Sequence, residues 1–170
     1  MIHIYCGDGK GKTTAAMGLA LRAAGRGERV VIAQFLKSAD SGERTSLARL
    51  PNVTLLDAPA EMKFVFQMTE EERAAEARRQ TGLLREAEEE ARRGAGLLVL
   101  DELCAAVSTG MTPLPGVLAF LDSLPAGLEV VITGREPARE LLDRADYITE
   151  MRKLRHPYDR GQGPRLGVEW

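Results

Sequence analysis

The chain has 170 residues, of which 44% are hydrophobic, 28% charged and 5% aromatic, and its formal net charge is -2. This balance predicts one globular domain and excludes a mainly disordered chain. The mild acidity and the lack of an apolar run near the roughly 20 residues that span a bilayer argue against nucleic-acid and membrane partners. The two cysteines, Cys6 and Cys104, are too few for a disulfide framework and are interpreted as buried packing residues. No signal peptide is recognisable, so the expected compartment is the cytoplasm.

Short apolar runs alternate along the chain with longer charged segments, a rhythm typical of βαβ units around a parallel sheet. Six strands are predicted, at Ile2–Cys6, Arg29–Phe35, Val53–Asp57, Gly96–Asp101, Glu129–Thr133 and Tyr147–Thr149. Helices are predicted between them, at Lys12–Ala24, Gly42–Arg49, Thr69–Arg93, Pro115–Ser123 and Pro137–Arg144. No repeat or linker divides the sequence, so residues 1–170 are expected to form a single α/β domain, a mostly parallel sheet flanked by helices.

The long helix begins with a capping box, because Thr69 is followed three residues later by Glu72. Near its end, Glu88 and Glu89 stand four residues before Arg92 and Arg93, the spacing of helical ion pairs. A partner-binding face and a solvated surface are both compatible with this charge run, and the solvated surface is the better interpretation.

A glycine-rich segment directly follows the first strand and opens the first helix, the context that a phosphate-binding P-loop requires. The segment reads Gly7-Asp8-Gly9-Lys10-Gly11-Lys12-Thr13-Thr14. Its glycines allow backbone amides to point at phosphate oxygens, Lys12 supplies a positive charge, and the Thr13 hydroxyl is a ligand for Mg²⁺. The first glycine of the strict pattern is replaced by Cys6. The alternative, a turn that happens to contain lysine, is disfavoured because strand, loop and helix all agree.

Asp101 and Glu102 end the apolar strand Leu97–Leu100, which is a Walker-B-like arrangement. Mg²⁺ prefers oxygen ligands, and parallel strands place this end beside the P-loop. Together the two motifs predict a nucleotide with Mg²⁺. Thr133-Gly134-Arg135 follows another strand, where glycine permits close approach of a ligand and arginine can contact phosphate or a base. A surface arginine that begins the next helix explains this last segment equally well.

These motifs, in this order, resemble the P-loop type of ATP:corrinoid adenosyltransferase, a family that makes adenosylcobalamin from cob(I)alamin and ATP. The segment Gly7–Ala16 is similar to that family's version of the loop, which also lacks the first glycine. The other similar segments, which extend the resemblance over essentially the whole chain, are Gln34–Lys37, Ser41–Glu43, Leu100–Leu103, Ile132–Arg135, Ala145–Met151, Lys153, His156–Tyr158 and Gly167–Trp170.

The resemblance implies a P-loop NTPase-like (RecA-like) fold, usually a homodimer, and a cob(I)yrinic acid a,c-diamide or cob(I)alamin adenosyltransferase. Cobalt(I) of the corrinoid attacks the 5′ carbon of ATP, and triphosphate leaves. It implies ATP and Mg²⁺ beside the corrinoid, and an electron-donating reductase or flavoprotein as partner. By the same resemblance, Lys12 and the loop amides hold phosphates, Thr13 and Glu102 serve Mg²⁺ with Asp101 in support, and Arg135, Lys37 and Glu43 line the nucleotide site.

Phe64 and Phe66 stand out in an irregular stretch of a chain that is poor in aromatic residues. The residues alone slightly favour a role as anchors of that loop in the core. In the family, aromatic residues of a comparable segment pack under the corrin and displace its lower axial ligand, which eases reduction of cobalt(II). The resemblance therefore makes Phe64 and Phe66 the candidates for corrinoid contact, although the family often has tryptophan where Phe66 stands.

Other interpretations stay open at this point. Many relatives have a segment ahead of the first strand that crosses the nucleotide site, whereas here the strand begins at Ile2, so we expect either a different closure or a more exposed nucleotide. His3 and His156 are interpreted as residues without a catalytic role.

A P-loop kinase is an alternative function, but Met111–Ser123 contains no basic residue that could form an arginine-rich lid. An ATP-gated corrinoid-binding module is another.

Overall fold

A computed structural model describes residues 1–169, and the last residue of the resemblance, Trp170, lies outside the described residues. Six strands form one sheet in the order β3-β2-β4-β5-β1-β6, and every neighbouring pair is parallel. The strands are β1 (Ile2–Cys6), β2 (Val30–Gln34), β3 (Val53–Leu55), β4 (Leu97–Asp101), β5 (Glu129–Thr133) and β6 (Tyr147–Glu150). The α-helices are α1 (Lys12–Ala24), α2 (Gly42–Leu47), α3 (Glu70–Arg92), α4 (Leu103–Ser108), α5 (Leu114–Leu121) and α6 (Arg139–Leu142).

Helices cover both faces of the sheet because neighbouring strand residues point to opposite sides. Val31 and Leu98 point toward the face packed by α3, α4 and α5. Val30 and Leu97 point toward the face packed by α1 and α2. The central strands β2 and β4 are buried along their whole length, which explains their apolar runs, Val30–Ala33 and Leu97–Leu100. The predicted α/β class with a parallel sheet and flanking helices is confirmed.

Each predicted strand and helix is present, and the differences lie mainly at the ends. The Thr69 capping box forms, with the Thr69 hydroxyl accepting from the Glu72 amide and the Glu72 carboxylate accepting from the Thr69 amide. The helix α4 was not predicted, because it is short and has no side-chain cap at its N-terminus. It begins directly after Glu102, whose backbone has a left-handed conformation. Within residues 1–169, no helix is long and apolar enough to cross a membrane.

The order of the strands brings the polar motifs to one edge of the sheet. Parallel strands all end at the same edge, where open α/β sheets bind their ligands. The pairs β2–β4, β4–β5 and β5–β1 place the segments after Gln34, Asp101, Thr133 and Cys6 side by side. The pair β1–β6 adds the segment after Glu150, which the motif analysis had not connected with the P-loop.

Gly134 is required by close packing within the protein. Its φ is +152°, and a Cβ atom placed there would lie 2.3 Å from the Cβ atom of Cys104 in α4. The close approach that the sequence suggested for a ligand is therefore made by a neighbouring helix. Burial raises the pKa of the Cys6 thiol, and that of Cys104 to about 12, in agreement with unreactive packing residues.

Gly134→Ala should destabilise the fold by about 1–3 kcal/mol, because the added methyl overlaps α4 and the backbone conformation disfavours a side chain. Gly82→Ala is the matched control, since Gly82 is exposed within α3 and a Cβ there would meet no atom within 4 Å. That control should gain about 0.5–1 kcal/mol from helix propensity. Equal free energies of unfolding for the two variants in urea titrations would contradict the packing argument.

Candidate active site

The segment between β1 and α1 has the backbone conformation of a phosphate-binding loop. Gly7 and Gly11 have φ angles of +97° and +114°, which glycine adopts without strain. Within residues 1–169, the amides of Lys10 to Thr14 donate to no acceptor, so they are available at the N-terminus of α1. Earlier in the loop, the Gly9 amide is not available, because it donates to the Met151 carbonyl at 2.6 Å.

Lys12 points back into this loop. Its Nζ atom donates to the carbonyl oxygens of Gly7 and Gly9, each at 2.8 Å. The side chain is buried, and this desolvation lowers the pKa of the Lys12 ammonium. A positive charge is thus held under the loop with few water contacts, which strengthens its attraction for an anion.

Asp101, at the end of β4, is fully buried and accepts four hydrogen bonds. The hydroxyls of Thr13 and Thr133 donate to Oδ1 at 2.9 and 2.7 Å. The side-chain amide of Gln34 and the ammonium of Lys37 donate to Oδ2 of Asp101 at 3.2 and 2.6 Å. Asp101 therefore connects the P-loop to the segments after β2 and β5.

Glu102 is the next residue, and it lines the cavity above this network. Its backbone is left-handed, with φ at +59°, and its amide donates to the Thr133 hydroxyl at 2.8 Å. Burial and the neighbouring Asp101 raise the pKa of the Glu102 carboxyl, although Lys37, Lys12 and Arg135 oppose this effect. The folded chain therefore holds a carboxylate at some cost in stability.

Glu102→Gln should raise the melting temperature at neutral pH by about 2–4 °C, the shift that about 1 kcal/mol produces in a chain of this size. A carboxyl group with a raised pKa binds its proton more tightly in the folded state, so stability falls as pH rises above the ordinary value of 4.5. Glu102→Gln has no carboxyl group at this position and therefore does not lose stability in this way. The check is thermal unfolding of Glu102→Gln and of the unsubstituted protein at several pH values. A difference between their melting temperatures that does not grow from pH 4 to pH 8 would contradict the prediction.

Most of the residues that the sequence singled out line one cavity of about 580 Å³ at the carboxyl ends of the strands. Those that line it are Asp8, Gly9, Lys10, Gly11, Lys12, Thr13, Thr14, Lys37, Glu43, Glu102 and Arg135. Gly7 begins the loop but does not line the cavity, and its amide donates to the Arg135 carbonyl at 3.2 Å. Asp101 is buried beneath the cavity. Glu43 accepts from the Gln34 amide at 3.3 Å.

The C-terminal segment also lines this cavity, which the motif analysis missed. His156, Gly167, Val168 and Glu169 contribute to its wall. The segment is attached to the loop through the Gly9–Met151 hydrogen bond and through the Lys153 amide, which donates to Asp8 at 2.8 Å. No local sequence signal predicts this contact, which follows from the pairing of β6 with β1, since the chain then leaves the sheet beside the P-loop.

Phe64 and Phe66 lie outside the cavity, on the surface. They are 67% and 81% exposed, and their rings stack with centroids 5.4 Å apart. Val65 between them packs against the core instead, and Arg73 donates to its carbonyl at 3.3 Å. The interpretation of the two phenylalanines as core anchors is therefore wrong. A second, shallower cavity of about 320 Å³, partly lined by Met62, Lys63 and Met68, adjoins this stretch.

The residues that could hold a metal ion are the Thr13 hydroxyl and the carboxylates of Asp101 and Glu102. Their oxygen atoms are hard ligands of the kind that Mg²⁺ prefers. Within residues 1–169, no group of three or more His, Cys, Asp or Glu residues could hold a metal ion without help. This donor set fits Mg²⁺ only when water and the oxygens of a bound nucleotide complete the coordination, as is usual for that ion.

The comparison with known proteins agrees with this geometry. A family model described as "ATP:corrinoid adenosyltransferase BtuR/CobO/CobP" matches residues 1–170. A corrinoid adenosyltransferase of Escherichia coli K12 is 33% identical over 176 residues, which cover 100% of this chain and 85% of the relative. One from Pseudomonas aeruginosa is 34% identical over 171 residues, covering 100% of this chain and 83% of the relative. The protein is thus a member of the ATP:corrinoid adenosyltransferase family.

Proposed function

We propose that this enzyme transfers the 5′-deoxyadenosyl group of ATP to cobalt(I) of a corrinoid and releases triphosphate. Cobalt supplies the electron pair for the new cobalt–carbon bond, and the bond between the 5′ carbon and oxygen breaks toward triphosphate. The observation that carries the proposal is that the free loop amides and the buried Lys12 lie at the same cavity. Such a site stabilises the charge that grows on a departing triphosphate.

The side chains around the loop have distinct parts in this proposal. Lys12 and the amides from Lys10 to Thr14 hold the phosphates. Thr13 and Glu102 would hold Mg²⁺ with Asp101 in support, and the ion would supply further positive charge to the leaving group. Arg135, Lys37 and Glu43 line the nucleotide site. Arg135 is exposed at the rim of the cavity, where its side chain can contact a ligand. No general base is needed, because cobalt(I) carries no proton.

Phe64 and Phe66 are the proposed corrinoid contacts. A stacked aromatic pair with this much exposure has no role in the core, and exposed apolar surface of this kind marks a binding site. An apolar face that offers cobalt no lower ligand makes cobalt(II) easier to reduce. An electron-donating reductase or flavoprotein is the partner that this reduction requires.

The remaining proposals concern assembly. Residues 1–170 would act as one adenosyltransferase domain in the cytoplasm, and two copies would form a homodimer. The edge strand β6 supports a dimer, because Tyr147 and Ile148 are 49% and 53% exposed there. Further exposed apolar side chains follow in the C-terminal segment: Leu154, Tyr158, Leu166 and Val168.

The test of the function is an anaerobic incubation with chemically reduced cobalamin and MgATP. The corrinoid spectrum and the phosphate product are followed together. Adenosylcobalamin and triphosphate in equal amounts are the expected result. Formation of ADP with an added acceptor would instead identify a kinase, and binding of the corrinoid without conversion would identify a binding module.

A further inference from the structure

We propose that the Lys37 ammonium is an internal counter-ion that holds the place of the divalent cation until a nucleotide brings the metal. This inference rests on the proposed function, in that it takes the Thr13 and Asp101 oxygens as the metal side of the site. It adds a role for Lys37 that lining the cavity does not imply. Lys37 sets the order of binding, because it keeps the site closed to a metal ion that arrives alone.

The position of the ammonium group carries the proposal. Lys37 Nζ donates to the Thr13 hydroxyl at 3.0 Å and to Asp101 Oδ2 at 2.6 Å. These are the hydroxyl and the carboxylate that a P-loop site offers to Mg²⁺. A lysine that simply lined the cavity would direct its charge toward the ligand, whereas this one turns away from it toward the protein.

The burial of Asp101 explains why a cation must be there. Its side chain is 0% exposed, and Lys37 is the cation that pairs with it among residues 1–169. The other three partners, Thr13, Thr133 and Gln34, are neutral donors. A buried carboxylate without a compensating charge is strongly unfavourable, so removal of Lys37 creates a demand for another cation.

The chain reaches this position through an unusual turn. Leu36, directly before Lys37, has a φ of +52°, a left-handed conformation that large side chains seldom adopt. The turn comes immediately after β2 and is held by the Phe35 amide, which donates to the Asp101 carbonyl at 2.9 Å. Strained backbone of this kind persists where the surrounding contacts fix it, and here it directs Lys37 back toward Asp101.

The consequence is an exchange of cations when the nucleotide binds. Asp101 would exchange the Lys37 ammonium for Mg²⁺ brought by the triphosphate, and the released ammonium would then be free to turn to the phosphates. Lys37 is 28% exposed and lines the cavity wall, so its side chain has open space on the side where the phosphates would bind. The free protein should therefore bind divalent cations weakly, and the nucleotide should strengthen that binding.

The experiment measures Mn²⁺ binding to the purified protein without nucleotide, by the loss of the free-ion electron paramagnetic resonance signal. Lys37→Met should bind Mn²⁺ at least tenfold more tightly than the unsubstituted protein does. The same variant should melt at a lower temperature than the unsubstituted protein, and Mn²⁺ should raise its melting temperature but not that of the unsubstituted protein. Should Lys37→Met fail to fold, Lys37→Gln provides the same neutral charge with a polar side chain.

Two variants control for charge and for lysine loss in general. Lys37→Arg keeps the cation and should gain no Mn²⁺ affinity. Lys63→Met removes a lysine that pairs with the partly exposed Glu72, and should also gain none. Equal Mn²⁺ affinity in Lys37→Met and the unsubstituted protein would overturn the inference, and a failure of Mn²⁺ to bind even with ATP would instead overturn the proposed metal role of Thr13 and Asp101.

Discussion

Lys12→Ala is expected to lower the rate of adenosyl transfer by on the order of 10²–10³-fold, the usual loss when one preorganised donor to a developing oxyanion is removed. The ammonium of Lys12 is buried in the loop, where few water molecules screen its charge from the departing triphosphate. Its hydrogen bonds to Gly7 and Gly9 also shape the loop, so part of the loss would come from less ordered amides. Single-turnover rates with prereduced cobalamin measure the effect on the chemical step.

Lys10→Ala is the matched control for this prediction. Lys10 lies in the same loop and lines the same cavity, but its side chain is exposed and makes no hydrogen bond or ion pair within residues 1–169. Its removal changes the net charge equally and should cost about tenfold or less, because a solvated charge interacts weakly with a distant one. Circular dichroism should show both variants folded. Similar losses in the two variants would mean that total charge, rather than the buried ammonium, governs the reaction.

The sequence predicted the parts of the site whose chemistry is local. The P-loop is one continuous segment between a strand and a helix, so its glycines, lysine and threonine identify it without knowledge of the fold. Asp101 and Glu102 were predicted from the apolar strand that precedes them. Both motifs depend on contacts within a few residues along the chain, and the structure places them together as expected.

What the sequence did not predict depends on contacts between distant segments. The wall formed by His156 and Glu169 follows from the pairing of β6 with β1, and no local pattern encodes that pairing. The hydrogen bond of Lys37 to Asp101 depends on the left-handed turn at Leu36, a residue type that seldom signals such a turn. The helix α4 was missed because its stability comes from packing, for instance of Cys104 against Gly134, rather than from helix signals in its own sequence.

Phe66 shows how exposure in the structure changes the weight of two interpretations. The sequence alone slightly favoured a core anchor, because phenylalanine is among the residue types most often buried. At 81% exposure the side chain cannot contribute much to the core. A contact with a second, largely apolar molecule is then the better explanation, and the stack with Phe64 would present a continuous aromatic face to it.

Phe66→Ala is therefore expected to affect one route to product and spare the other. Starting from cobalt(II) with a reducing partner, product formation should fall by about 10–100-fold, the range typical when the surroundings that tune a metal centre are altered. Starting from prereduced cobalt(I), it should fall by less than about threefold, since the attack on ATP uses the P-loop side of the site. Stability should change by no more than about 0.5 kcal/mol, because the side chain is exposed.

Leu21→Ala is the matched control, since Leu21 is 56% exposed on α1 and does not line the nucleotide cavity. It should leave both routes unchanged, and the two variants should unfold at similar urea concentrations. The decisive quantity is the ratio of the two rates for each variant, which cancels any difference in the fraction of active enzyme. An unchanged ratio in Phe66→Ala would mean that the aromatic pair helps neither to remove the lower ligand of cobalt nor to ease its reduction. Equal losses on both routes would indicate a merely structural role for Phe66.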